Sequence, residues 1–231
     1  FDDAGRELAQ ARRFAPALGD IADHHLHRAL AMVGQRCQRD LDVAPLAELV
    51  VLAERYDAML YVDDAHGTGI MGATGRGTIE RFGLERRIPF HMGTLSKALG
   101  SYGAYVVGPN EFVQYLLNKA RSFIFTTALP PAIAAAASAA ITIVEREPDR
   151  RDRLWANRRY LFDGLRNQGF RLTPTVSPIL PVLIGDAAQA SAFADRLLAH
   201  GVYAPAIRPP TVPGGTSRIR FTVTAAHTTD Q

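Results

Sequence analysis

Val62-Asp63-Asp64-Ala65-His66-Gly67-Thr68-Gly69, at the end of the apolar run 58–62, decides how this chain folds and where its chemistry lies. Residues 58–62 are short and apolar, the form of a strand buried on both faces of a parallel sheet. The loop beyond carries Gly67, Gly69, Gly72, Gly75 and Gly77. Asp63 therefore falls at the carboxyl end of a buried strand, where open α/β sheets bind ligands. A carboxylate there is costly unless it meets a positive partner. A protonated pyridine nitrogen is such a partner, because the charge pair keeps the ring an electron sink. His66 is placed to reach the phenolic oxygen of such a ring or to lie over its face. By themselves Asp63 also reads as a helix N-cap and His66 as an ordinary loop histidine.

The next strand, 88–92, leads to Thr94-Leu95-Ser96-Lys97. Lysine is the residue that forms a Schiff base with a carbonyl cofactor. Thr94 and Ser96 offer hydroxyls to a phosphate, and Gly93 and Gly100 leave the backbone room to approach a ligand. Alone, Lys97 reads as a surface lysine. Together with Asp63 and His66 it gives the acid, imidazole and amine needed to hold and activate pyridoxal 5'-phosphate. Arg208, followed by Pro209 and Pro210, has a fixed backbone that suits a bidentate carboxylate clamp, although an exposed arginine on a proline-rich turn looks the same. A second arginine, Arg220, lies on the following strand pattern. Residues 72–77 lack the Gly-Lys-Ser/Thr ending of a nucleotide-triphosphate loop. His24, His25 and His27 lie on a polar helical pattern and Cys37 has no paired ligand spacing, so no metal site is expected.

The 231 residues are 47% hydrophobic and 21% charged, with a net charge of +3. That suits one or two soluble domains and is too small and dispersed an excess to signal nucleic acid. One cysteine allows no intrachain disulfide, as suits a reducing cytoplasm. No apolar run reaches the ~18–20 residues of a membrane span. The opening Phe1-Asp2-Asp3-Ala4 has no methionine and no signal pattern.

Residues 5–17 and 20–33 read as helices and 34–42 as a polar loop. Pro45 opens a helix to about Tyr56 with Leu46, Leu49, Val50 and Ala53 on its buried face. Residues 78–83 predict a short helical turn, 102–107 a strand, Asn110 the N-cap of a helix to about Arg121, and 122–126 extended chain. Pro130-Pro131 starts an alanine-rich helix to about Glu147, of which 132–144 reads as buried, and Pro148 breaks it. A second amphipathic helix runs from Asp149 to Gln168 and stops at Gly169. Then 170–184 predicts short strands between prolines, 187–200 a helix, and 202–207 and 217–224 strands. The alternation up to about 147 predicts an α/β layer with a mainly parallel sheet. The rest predicts a smaller α+β domain, dividing the chain into 1–147 and 148–231.

Residues 62–77, Val-Asp-Asp-Ala-His-Gly-Thr-Gly-Ile-Met-Gly-Ala-Thr-Gly-Arg-Gly, resemble the signature of the α-oxoamine synthases. These are fold-type I pyridoxal-phosphate transferases that join an amino acid to an acyl thioester with loss of carbon dioxide. The tail, from Ala206-Ile207-Arg208-Pro209-Pro210-Thr211-Val212-Pro213 to Thr224-Ala225-Ala226-His227, is similar in the same way, and the resemblance runs from about Ala44 to His227. It implies that Asp63 pairs with the pyridine nitrogen, His66 bonds the phenolic oxygen, Lys97 carries the cofactor and Thr94 lies beside the phosphate. It also implies that Thr126 or Thr127 reaches the phosphate in the partner subunit of a homodimer, and that Arg208 and Thr211 meet the substrate. Asp-Asp-Ala-His-Gly-Thr-Gly resembles the biotin-pathway member of the family. That implies L-alanine and a pimeloyl thioester, on coenzyme A or an acyl carrier protein, as substrates. Glycine or serine with another acyl thioester is the alternative within the family, and a non-catalytic homologue the alternative outside it. The family carries a long segment upstream and a last helix that this chain lacks, and a serine where Gln38 stands, although Asp40 and Asp42 match. The resemblance thus predicts a fragment.

Overall fold

The computed structural model describes residues 30–33, 43–173 and 175–230, the first of these by backbone alone. The expectations for residues 5–17, 20–29 and 34–42, including the three-histidine cluster, Cys37 and Gln38, lie outside the described residues. The described residues divide into two compact units, one of 30–33 and 44–146, the other of 147–230 with Val43.

In the first unit a four-stranded sheet has the order β1-β2-β3-β4. The strands are β1 (Leu30–Val33), β2 (Met59–Asp63), β3 (Phe90–Thr94) and β4 (Ala104–Val107). β1 and β3 run parallel to β2, and β4 is antiparallel to β3. Residues 30–33, read as the end of a helix, are a strand instead. A four-residue apolar run suits either form, and pairing with β2 from Leu30↔Met59 to Val33↔Val62 decides it. β2 alternates in burial, with Leu60 and Val62 buried and Met59 and Tyr61 only half covered. It is thus sealed on one face, not both. The sealed face meets Leu46 and Val50 of helix α1 (Leu46–Arg55). Ile79 of the short helix α2 (Thr78–Arg81), Leu84 and Ile88 complete this core. Each such buried side chain contributes roughly 1.5–3 kcal/mol relative to exposure.

Helix α3 (Asn110–Lys119) is capped one residue earlier than its sequence suggests. Pro109 is the N-cap residue and accepts the first helical bond, from the Val113 amide at 3.1 Å, so Asn110 is the first helical residue. The stretch read as extended after it holds a helical turn, α4 (Arg121–Ile124). Helical spacing brings the Arg121 guanidinium over the Phe125 ring at 5.3 Å, a contact an extended strand would not give. Helix α5 (Pro131–Arg146) buries Ala137 alone, and Ile141 and Ile143 stay exposed, so the expected burial of 132–144 is not found. An apolar pattern marks a face that can be covered, not what covers it.

The second unit packs helices α6 (Asp149–Asn167) and α7 (Ala187–Ala199) with an antiparallel sheet of order β5-β7-β6. These strands are β5 (Ile179–Gly185), β6 (Ala206–Ile207) and β7 (Ser217–Thr222). Its core is Val182, Ala190, Ala204 and Ile219. Asp186 caps α7 by accepting the Gln189 amide at 2.8 Å. The prolines in 170–184 leave one strand and an isolated bridge, Leu172↔Val182, where several short strands are expected. Of 202–207 the last two residues form the strand, and the Pro205 carbonyl accepts the Arg220 amide at 3.0 Å.

His91, in the middle of β3, carries a testable consequence. Among the described residues its Nδ1 is buried without a hydrogen-bond partner, and burial lowers its pKa from 6.5. The imidazole is thus neutral in the fold, while the unfolded chain takes up a proton as the pH drops through 6.5. Its contribution to stability is fully present above that value and is lost below it, through the lowered folded pKa. Denaturant midpoints should therefore fall on acidification below 6.5. In His91→Leu that slope should flatten, with stability at neutral pH unchanged or raised by about 1 kcal/mol, because an orphaned polar atom is removed. An unaltered acid slope in the variant rejects this.

Candidate active site

β2 and β3 are parallel neighbours, so their carboxyl ends lie at one edge of the sheet, with Asp63 ending one strand and Thr94 the other. Asp63 pairs with Met92 in register, and residues two apart on a strand share a face, so Asp63, Met92 and Thr94 face the same way. Asp63 is exposed, and its Oδ1 accepts the Ala65 amide at 3.0 Å. The Thr94 hydroxyl donates to the Ala65 carbonyl at 3.3 Å, and the Lys97 ammonium donates to Thr94 Oγ1 at 3.3 Å. Amine and carboxylate are thus joined through one threonine and one alanine. His66 is half-buried on the same turn, next to Ala65. Burial first, and then the Asp63 charge, raises the pKa of the Tyr61 phenol, which lies on the Asp63 face of β2.

The buried member of the acid pair is not Asp63 but Asp64, at 5% exposure. Strand alternation turns its side chain to the opposite face. Burial raises its pKa, opposed by hydrogen bonds from the Thr78 hydroxyl, the Thr78 amide and the Ile79 amide. Gly93, expected to leave room for a ligand, does not: a Cβ there would collide with the Tyr105 hydroxyl and Thr68 Oγ1, which already fill that space. Glu80 accepts the Thr74 amide and hydroxyl at 3.0 and 2.8 Å and the Arg76 amide at 2.9 Å. Partial burial raises its pKa, but these bonds hold it below the usual carboxylate value. A carboxylate of the chain itself thus occupies the glycine-rich loop. Sequence reasoning missed Asp64, Thr68, Tyr105 and Glu80. The doubled acid at the strand end was the available sign, since neighbours on a strand face opposite ways.

The remaining expected site residues are on other segments of the chain. Thr126 follows α4, exposed, within a segment in which every residue from 121 to 130 is exposed. Arg208 and Thr211 belong to the second unit, on an exposed turn after β6 where the Arg208 carbonyl accepts the Thr211 amide at 3.1 Å. Among the described residues no group of three or more His, Cys, Asp or Glu is placed to hold a metal, and no helix is long and apolar enough to cross a membrane.

The fold is the mixed α/β fold of fold-type I enzymes, and the chain belongs to the aminotransferase class I and II family, whose model matches residues 39–231. Among its relatives is the 8-amino-7-oxononanoate synthase of Symbiobacterium thermophilum, 47% identical over 206 residues, or 89% of this chain and 53% of that protein. A serine palmitoyltransferase from S. paucimobilis, solved with a bound PLP–myriocin aldimine, superposes with a TM-score of 0.78 at 40% identity, covering 82% of this chain and 48% of that one. The 8-amino-7-oxononanoate synthase of Francisella tularensis superposes with a TM-score of 0.69 at 31% identity, covering 79% of this chain and 54% of that one. The chain spans about half the length of the curated relatives it matches.

Proposed function

We propose that this chain carries the cofactor-anchoring part of a pyridoxal-phosphate-dependent acyltransferase. The reaction condenses L-alanine with a pimeloyl thioester, on coenzyme A or acyl carrier protein, to 8-amino-7-oxononanoate in biotin biosynthesis. The observation that carries this reading is the hydrogen-bonded path from Lys97 Nζ through Thr94 and Ala65 to Asp63 Oδ1. It gathers an amine, a hydroxyl and a carboxylate at one sheet edge, which is the donor set that an aldehyde, a phosphate and a pyridinium require. Pyridoxal phosphate, when bound, supplies an electron sink for negative charge at the substrate's α-carbon. Asp63 holds the proton on the ring nitrogen, and His66 hydrogen-bonds the phenolic oxygen. Lys97 anchors the cofactor through its amine and then moves the α-proton, as base and acid in turn. Thr94 serves the phosphate, as does Thr126 across a subunit interface, while Arg208 and Thr211 hold the substrate, Arg208 by a carboxylate. The bond formed joins alanine's α-carbon to the acyl carbonyl carbon; the thiol and carbon dioxide leave. In this reading residues 1–147 are part of the large domain and 148–231 the small domain of a cytoplasmic enzyme.

A second reading is favoured by one observation: serine palmitoyltransferase superposes better than the 8-amino-7-oxononanoate synthase structure. The 47% identity to the Symbiobacterium thermophilum synthase, against 40% to the serine palmitoyltransferase and 31% to the Francisella tularensis synthase, favours the alanine reaction. Product analysis with alanine, glycine and serine against pimeloyl, acetyl and long-chain thioesters decides. A serine-only or glycine-only product rejects the main reading, and no product with any pair favours a non-catalytic homologue.

The homodimer is supported by exposed apolar side chains at Phe123, Ile124, Phe125 and Leu129, a cluster of the kind a partner covers. Phe125→Asp is expected to shift the sedimenting species to monomer with little change in far-ultraviolet dichroism. A variant that sediments as the parent does removes this patch from the interface.

A further inference from the structure

Asp64 makes more contacts than any direct part in the chemistry requires. Its amide donates to the Met92 carbonyl on β3 at 2.9 Å. Its carbonyl accepts the Gly67 amide, the Thr68 amide and the Thr68 hydroxyl, each at 3.0 Å. Its carboxylate crosses the loop to accept the Thr78 amide at 2.6 Å and the Thr78 hydroxyl at 2.7 Å. Residues 64–78 are thereby closed into a ring, pinned inside by Gly69 to Gly75 and Gly77 to Met71 backbone bonds of 2.8 and 2.9 Å. The carboxylate sits in a cradle that only glycines permit, since a Cβ on Gly67 or Gly77 would collide with its oxygens. Gly77 also has φ 112°, which disfavours any side chain. A second tie fixes the ring to β4: Thr68 Oγ1 lies 3.1 Å from the Tyr105 hydroxyl, passing under Gly93. His66 rides inside this ring, between the Asp63 and Thr68 ends.

We propose that Asp64 is the positioning residue of this site. Its buried carboxylate, cradled by Gly67 and Gly77 and bonded to Thr78, holds His66 in fixed register with Asp63 and Lys97, so that the ring cofactor meets a preformed grip. Its work is done through the loop and involves no contact with the cofactor. The inference rests on the reading of Asp63, His66 and Lys97 as a pyridoxal-phosphate site.

Asp64→Asn provides the conservative comparison. Its carboxamide oxygen can accept the Thr78 amide while its NH2 donates to the Thr78 hydroxyl. Asp64→Ala removes both bonds and empties the cradle, and Thr78→Val removes only the hydroxyl partner, should the alanine variant not fold. Hydrogen exchange of the cofactor-free proteins reads the loop directly. Amides 66–77 are expected to exchange at least tenfold faster in Asp64→Ala and severalfold faster in Thr78→Val, with β2 and β3 still protected, and at the parent rate in Asp64→Asn. Absorbance titration with pyridoxal phosphate reads the grip: affinity should drop at least tenfold in Asp64→Ala and stay within about threefold in Asp64→Asn. Unchanged exchange in both damaging variants overturns the proposal, as does unchanged affinity in a variant whose loop has loosened. An unmutated protein that binds no pyridoxal phosphate overturns the site reading and the positioning role with it. A parent that binds normally beside an indifferent Asp64→Ala overturns the positioning role alone.

Discussion

Lys97→Ala is expected to abolish turnover, by about four orders of magnitude or more, equivalent to roughly 5.4 kcal/mol of barrier. The same change should remove the visible absorbance that bound pyridoxal phosphate gives on an amine. The magnitude follows from the lack of a substitute. The chain has two lysines, Lys97 and Lys119, and Lys119 is the last residue of α3. An arginine cannot take over, because a guanidinium does not give up its proton in proteins. Lys97 is exposed and its bond to Thr94 is long, at 3.3 Å, so little stability is lost and a folded variant is expected. The check is a spectrum before and after borohydride, followed by mass mapping of the reduced protein, with Lys119→Ala as the control. A band that survives Lys97→Ala, or a reduced adduct mapped to position 119, defeats the assignment.

Asp63→Asn should cost at least about a hundredfold in turnover, roughly 2.7 kcal/mol of barrier, while leaving the fold intact. The amide keeps an oxygen to accept the Ala65 amide, now bonded at 3.0 Å, and the exposed side chain takes no part in the core. What disappears is the negative charge that keeps the ring nitrogen protonated. Tyr61 reports on that charge independently, since the Asp63 carboxylate is one of the two causes that raise its phenol pKa. In the variant Tyr61 should titrate at lower pH, at an unchanged melting temperature. A loss in turnover of less than tenfold, with the Tyr61 shift present, shows that the charge was removed without harming catalysis and ends the proposed role of Asp63.

The positions of Asp63, Thr94 and Lys97 were legible in the sequence because each follows a short apolar run, and chemistry in open α/β sheets collects beyond strand ends. The helices at 46–55, 131–146, 149–167 and 187–199 were legible too, from apolar periodicity and from the prolines and glycines at their ends. Residues 30–33 and 122–124 were misread because four or five residues carry too little periodicity to separate helix from strand. Pairing with β2 settled one, and a local arginine–phenylalanine contact favoured the other. The exposure of α5 was illegible for a different reason, since amphipathic pattern describes a surface and not its neighbour.

The amino-acid order alone determined that an acid, an imidazole and an amine would stand after two successive strands, since covalent sequence and strand ends are local properties. Which of two adjacent carboxylates stays exposed beside the amine, and which is buried to brace the loop, was decided only in three dimensions. Asp63 and Asp64 are chemically identical neighbours. The two-residue repeat of β2, its register against Met92, and the glycine cradle waiting on one face alone send them to opposite environments.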